Sequence, residues 1–256
     1  MITKKFLCRT LIAFLVAPAV QAQPACTVNS AGPTAALVEL YTSEGCSSCP
    51  PADRAINALQ GGALVVPLAL HVTYWDNTGW RDPFGQDKFD ERQRSLLDQQ
   101  RQHVVYTPQF FVAGRELRGW STSLADTIRT INARVSPVTI TLASTPSARG
   151  MVLDVTVHPA AKTGQSDGAL YVAVTESGLD SRVSRGENSG ATLHHDAAAR
   201  VLFGPVALVA GQARLHREVD VPSGWRRDHL QAVAFVQEQG GPAILQALGT
   251  ASCRAL

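Results

Sequence analysis

Two cysteines with two residues between them, Cys46-Ser47-Ser48-Cys49, constrain this chain more than any other feature. They stand between an apolar run, Ala35-Ala36-Leu37-Val38-Glu39-Leu40-Tyr41, and a segment that opens with Pro50-Pro51. The run is short, holds a β-branched residue and ends on an aromatic, which is the pattern of a buried strand. Proline suits a first helical turn, and Ala52, Ile56 and Leu59 then recur at helical spacing until Gly61-Gly62 stops the helix. A second apolar run over 63–71 reads as the next strand. Strand, helix, strand implies a parallel pair joined by a right-handed crossover. The cysteines therefore sit at the elbow where the first strand hands over to the helix.

The same reading carries on along the chain. A loop rich in Trp, Asp, Gly and Pro spans 72–85, and 86–102 reads as a polar-faced helix. Gln109 to Ala113 is a third strand, Gly114-Arg115 a turn, and Glu116 to Gly119 a fourth. Leu124, Ile128, Ile131 and Val135 give a helical stripe behind Ser121. After Pro137 the pattern changes to six or seven short strands of period two, punctuated by Gly, Pro, Ser and Asp. The expected architecture is an α/β domain over 23–136, with a mixed sheet in the order β-α-β-α-β-β-α, followed by an all-β antiparallel sandwich domain over 137–256.

A C-x-x-C pair at a helix N-terminus has a defined chemistry. Free backbone N–H groups and the helix dipole stabilise a thiolate there. Cys46, nearer the loop, is expected to be the exposed nucleophile, and Cys49 to resolve the mixed disulfide. Glu39, buried in the preceding strand, is a candidate proton relay to Cys49; the alternative is a strand-end carboxylate that reaches solvent or pairs with Arg54. A zinc half-site needs two more ligands at matched spacing, and no second C-x-x-C exists. Thr107-Pro108 stands before the third strand; with a cis bond, Thr107 would offer its backbone to an extended substrate beside Cys46. Trp75, Asp76, Trp80 and Asp82 either line a groove over the disulfide or pack a helix end, with Trp75 and Trp80 the substrate-binding candidates. His71, at a strand end, either tunes Cys46 or is a hydrogen-bonded core histidine. The polar run Arg185 to Gly190, followed by His194-His195-Asp196, reads as a solvated loop between strands or as a partner or metal contact.

The first 22 residues have the form of an export signal: Lys4, Lys5 and Arg9, the apolar run Leu11 to Ala17, and Val20-Gln21-Ala22 as a cleavage site. No other segment reaches the roughly 20 apolar residues that membrane spanning needs. The net charge is +2, and removing 1–22 leaves 20 basic against 21 acidic residues, or −1. A body so nearly neutral gives no general electrostatic reason to bind nucleic acid or an anionic membrane. Cys8 leaves with the signal, and four cysteines remain. Cys46 and Cys49 are close enough to pair with each other, which leaves Cys26 and Cys253, near the two mature ends, either as a second disulfide or as two free thiols.

These residues carry a resemblance. Strand, Cys46-Ser47-Ser48-Cys49 elbow, helix, and Thr107-Pro108 before a hairpin resemble the thioredoxin superfamily. Three runs within 36–120 are more specific: Val38 to Asp53, His71 to Phe84, and Val105 to Gln109. They are similar to the signature of a family of bacterial secreted proteins, domain-of-unknown-function family 1223. That resemblance implies a periplasmic thioredoxin-like fold with an added C-terminal region, with Cys46 and Cys49 as the redox pair and Pro108 as a cis-proline. It supplies no substrate. Thr73 stands where the family often has Asp, and Cys49-Pro50-Pro51 departs from ordinary thioredoxins, so no redox direction carries over.

The function expected on these grounds is a periplasmic or secreted thiol–disulfide oxidoreductase acting on a protein or small thiol/disulfide substrate. No organic cofactor and no resident metal is implied, and the oligomeric state is left open. Two alternatives stand beside it: a binding protein with a permanently closed Cys46–Cys49 bridge, and a copper-handling protein that uses Cys46, Cys49 and His71.

Overall fold

The computed structural model of the chain describes residues 25–30, 32–59, 61–160 and 166–254. Residues 1–22, expected to be an export signal, lie outside these. The described strands are β1 (Cys26–Asn29), β2 (Ala36–Thr42), β3 (Val65–His71), β4 (Gln109–Val112), β5 (Arg115–Glu116), β6 (Val138–Pro146), β7 (Gly150–Pro159), β8 (Gly168–Glu176), β9 (Leu179–Arg182), β10 (Thr192–His195), β11 (Ala198–Ala207), β12 (Ala213–Asp220), β13 (Leu230–Glu238) and β14 (Ile244–Gly249). Three α-helices are described: α1 (Pro50–Asn57), α2 (Asp87–Gln99) and α3 (Trp120–Asn132). None of them is long and apolar enough to cross a membrane.

An α/β domain followed by a separate sandwich is not what the chain forms. One eight-stranded sheet runs through both halves in the order β14-β13-β8-β11-β3-β2-β4-β5. β2 and β3 are parallel in register from Ala36↔Val65 to Thr42↔His71. β11 then adds to the free edge of β3 at Ala198↔Ala69, where Ala69 N–H donates to Ala197 O at 2.9 Å. β8 and β13 continue the sheet outward from β11 by antiparallel pairing. A second, four-stranded sheet, β1-β6-β7-β12, packs on part of this large sheet.

Alternation of side chains explains why the sheet is continuous. On β8, Leu170, Val172 and Val174 face the small sheet, and on β13 Ala232, Ala234 and Val236 do the same. The intervening Ala173, Val233 and Phe235 belong instead to the core formed with Leu37, Leu40, Phe89 and Phe111 of the first half. β8 and β13 thus bury both faces, one against each core. The two halves also interlock at the other edge. Ala35 N–H donates to Gln246 Oε1 at 2.8 Å, and Ile244 N–H donates to Ala113 O at 3.1 Å. Gly114, at φ +81°, allows this approach, because a Cβ there would fall 1.6 Å from Pro242 O. Cys26 and Cys253 form a disulfide that ties β1 to the C-terminal 3-10 turn.

Candidate redox site

The C-terminal ends of β2 and β3, the N-terminus of α1, the 72–86 loop and the β9–β10 hairpin converge on one place. Cys46 and Cys49 are bonded to each other there, with Cα atoms 5.4 Å apart. Cys49 is the N-cap of α1, and its carbonyl accepts the N–H groups of Ala52 and Asp53 at 2.8 and 3.0 Å. Pro50 and Pro51 occupy the first turn, where their missing N–H groups leave no donor unpaired. The bridge therefore lies at the positive end of the helix dipole. The expectation of an exposed Cys46 sulfur fails: Cys46 and Cys49 are both 0% exposed. Ser47 and Ser48 between them face solvent, and Ser48 Oγ lies 3.3 Å from Cys46 Sγ.

The segments that flank the bridge also carry a buried cluster of ionisable side chains. Thr42 and His71 are register partners on adjacent strands, so their side chains share a face. Thr42 Oγ1–H donates to Asp53 Oδ1 at 2.7 Å, which places Asp53 on the inner side of α1. His71 Nδ1 lies 2.8 Å from Asp82 Oδ2, and both side chains are fully buried. Asp82 also accepts the N–H groups of Glu44 and Phe84, each at 2.8 Å. The His71 and His195 rings meet edge to face at 4.8 Å, and His195 Nε2 lies 3.0 Å from Glu44 Oε1. Glu44 accepts two further bonds on Oε2, from Trp80 Nε1–H at 2.7 Å and Ser181 Oγ–H at 3.1 Å. His71 Nε2 is buried with no hydrogen-bond partner.

The charge states follow from these contacts. Burial pushes the Asp53 carboxyl up, and the nearby His195 and His71 with the Thr42 hydroxyl only partly offset it. Burial alone would lower His71, but the Asp82 charge and hydrogen bond outweigh it and leave the imidazole raised. Burial alone would raise Asp82, but His71 and the two backbone donors leave it lowered. The His71 and Asp82 shifts both favour the charged pair, beside an Asp53 carboxyl held above its ordinary value.

The other expected site residues are placed as follows. Glu39 is fully buried and bound by Arg92 through two contacts, Nε to Oε1 at 2.5 Å and Nη2 to Oε2 at 3.1 Å. Its partner is thus Arg92 on α2 and not Arg54 on α1. The Thr107–Pro108 bond is cis. Trp75 Nε1–H donates to Thr107 Oγ1 at 2.8 Å, and a Cβ on Gly45 would lie 3.1 Å from Trp75 Cβ, so Trp75 spans from the C-x-x-C loop to Thr107. Trp80 is hooked onto Glu44. The run 185–190 is the tip of the β9–β10 hairpin and lies on the C-x-x-C loop, and His195 is in the cluster. Among the described residues, no group of three or more His, Cys, Asp or Glu is arranged to hold a metal ion. Glu44 and Asp53 carry no site signal of their own in the sequence. The available hint for Asp53 is its place on the same helical face as Ala52 and Ile56, which are buried.

The family model described as "Protein of unknown function (DUF1223)" matches residues 37–237. The chain belongs to this family. All of the cluster, from Glu39 to His195, lies inside the matched span. Among solved structures, the chain is similar to protein AGR_C_4864 from Agrobacterium tumefaciens, at 21% identity and a TM-score of 0.62, over 84% of this chain and 92% of that one. It is also similar to HBP35 of Porphyromonas gingivalis, at 16% identity and a TM-score of 0.64, over 86% of this chain and 76% of that one. At these identities the likeness concerns the fold alone. No curated protein matches the chain.

Proposed function

We propose that this DUF1223 protein is a thiol–disulfide oxidoreductase whose reactive element is the Cys46–Cys49 bridge. The observation that carries the reading is the position of the bridge. It caps a helix N-terminus, and the segments on either side of it, from Glu44 to Asp53, contribute to a buried cluster with His71, Asp82 and His195. A bridge that served only to hold the elbow closed would gain nothing from such a cluster, whose burial is costly. A redox pair gains from it, because thiol and thiolate exchange protons at each turnover.

In the oxidising direction, the reverse of which would reduce a substrate disulfide, a substrate thiolate attacks one sulfur of the bridge, the Cys46–Cys49 bond breaks, and a mixed disulfide forms. A second substrate thiol then closes the substrate's own disulfide and leaves Cys46 and Cys49 reduced. The helix dipole stabilises the thiolate released on the way, and we assign Asp53, a buried carboxyl in the first turn of the same helix, as the group that takes up or returns its proton. We assign Glu39 to the fold, because Arg92 engages both of its oxygens. We assign Trp75, Trp80, Thr107 and Pro108 to the rim on which a disulfide-bearing peptide would lie. The setting we propose is the periplasm or the exterior, which the disulfides Cys26–Cys253 and Cys46–Cys49 and the export-like residues 1–22 support.

One observation favours a second reading, a binding protein with a permanent bridge: both cysteines are fully buried. The two are separated by turnover. The mature chain is expected to accelerate dithiothreitol-driven reduction of a disulfide-bonded peptide, and Cys46→Ser and Cys49→Ser each to abolish that acceleration. Equal rates for wild type and both variants would leave the permanent bridge.

A further inference from the structure

The far half of the chain reaches the C-x-x-C loop. Strands β9 and β10 pair from Thr192↔Arg182 to His195↔Leu179, and their connecting tip, 183–191, reaches over the C-x-x-C loop. Asn188 Nδ2 donates to Glu44 O at 2.8 Å and to Cys46 O at 3.0 Å. Glu187 Oε2 accepts from Ser47 N–H at 3.0 Å. All three bonds land on main-chain atoms of the segment that holds the reactive pair. These are the groups an extended peptide would use to dock beside the bridge.

The tip is built to lie there and to come away. Its base is fixed by buried Val183, by turn bonds from Val183 N–H to Ala191 O and from Gly190 N–H to Val183 O, and by His195 on Glu44. Gly186, at φ +72°, lets the backbone cross closely, since a Cβ there would lie 3.2 Å from Trp80 Cβ. Beyond Val183 the tip is polar, with Ser184, Arg185, Glu187, Ser189 and Gly190 exposed. Its direct polar hold on the C-x-x-C loop is the three hydrogen bonds from Glu187 and Asn188.

We propose that residues 184–190 form a strap that mimics a docked peptide, closes the Cys46–Cys49 bridge to solution, and must be displaced from the Glu44, Cys46 and Ser47 main chain before thiol–disulfide exchange begins. The displacing partner is an extended peptide bearing a dithiol or disulfide. This rests on the redox reading above. It accounts for a reactive bridge whose cysteines are both fully buried.

The test is the rate at which dithiothreitol reduces Cys46–Cys49 in the folded mature chain, followed by quenching with an alkylating reagent and weighing the peptide that carries both cysteines. Each dithiothreitol gives up two hydrogens to the bridge and closes its own ring. The double variant Glu187→Ala with Asn188→Ala is expected to react about tenfold faster or more, the effect of losing hydrogen bonds that hold the closed state. Glu187→Gln keeps an acceptor for Ser47 N–H and is expected to stay near the wild-type rate. Equal rates in wild type and a folded double variant would overturn the strap. Should the double variant not fold, Asn188→Asp takes its place, since it sets a carboxylate against the Glu44 and Cys46 carbonyls; a faster rate supports the strap and an equal rate overturns it. Equilibration of the bridge with glutathione separates this from the redox reading. A bridge that is freed kinetically by the double variant but is never reduced by glutathione removes the redox role and leaves the strap as a cover.

Discussion

Arg92 is the side chain whose loss should harm the fold most for its size, and Glu39 is the reason. The guanidinium holds both Glu39 oxygens, with the carboxylate 0% and the arginine 6% exposed. Its carbon also lies 4.8 Å from the Tyr171 ring and 4.7 Å from the Phe235 ring, and Nη1 donates to Gln237 Oε1 at 3.3 Å. The pair thus joins β2 and α2 of the first half to β8 and β13 of the second. Burial works against the Arg92 charge, but Glu39 outweighs it and leaves the guanidinium held more firmly protonated. Arg92→Ala strands a buried carboxylate, which costs about 3–5 kcal/mol. Loss of the ring contacts adds about 1 kcal/mol. Glu39→Gln strands the cation instead and is expected to cost about 3 kcal/mol. The joint replacement Glu39→Leu with Arg92→Met removes both charges and should fall within about 1–2 kcal/mol of wild type. Urea unfolding of the four proteins reads these differences directly. If Arg92→Ala costs less than about 1 kcal/mol, the pair is not the buried strut described here. If folded Glu39→Gln instead shifts the reduction potential of Cys46–Cys49, Glu39 is a proton relay and its assignment to the fold is wrong.

Gly114→Ala should destabilise the chain by about 3 kcal/mol, because the new Cβ would meet Pro242 O at 1.6 Å from a residue at φ +81°; thermal unfolding reads this, and an unchanged Tm would show that the two halves do not interlock at that point. The His71–Asp82 pair sets a pH window. His71 is raised from 6.5, so its contribution is complete below pH 6.5 and is lost as pH rises through the raised value. Asp82 is lowered from 3.8, so its contribution is complete above pH 3.8 and is lost as pH falls through the lowered value. Asp53, raised from 3.8, acts the other way on the acid side: stability falls as pH rises from 3.8 through its raised value. Urea midpoints taken from pH 5 to 9 should therefore decline toward the alkaline end in wild type and flatten there in His71→Gln; parallel curves would show that His71 is not charged in the folded chain.

The local elements were largely legible. Alternating and helical patterns placed β2, α1, β3, α2, β4 and α3 to within a few residues, because each pattern reports only which side of its own element is buried. The joining of the halves was not legible. It depends on Ala198 meeting Ala69, a pairing between distant residues that no local pattern encodes. A hint lay in β8, where Ala169 to Val174 are apolar without a break, a mark of a strand covered on both faces. β9, Leu179-Asp180-Ser181-Arg182, carries no apolar alternation and was invisible, and with it the hairpin that covers the C-x-x-C loop. The cysteine pair itself was plain, because two thiols at that spacing have few uses. Its buried surroundings were not, because Glu44 and Asp53 read alone as ordinary polar residues and His195 as part of a loop far away in the sequence, and only the fold collects them.

The reduction potential of Cys46–Cys49 decides between an exchanging bridge and a permanent one. The mature chain would be equilibrated against a glutathione redox series, alkylated, and digested so that the Cys46–Cys49 peptide is weighed apart from Cys26 and Cys253. A redox pair of the kind proposed should give a value between roughly −270 and −120 mV, the span of known exchangers. A value below about −300 mV would refute the redox role and identify the bridge as structural.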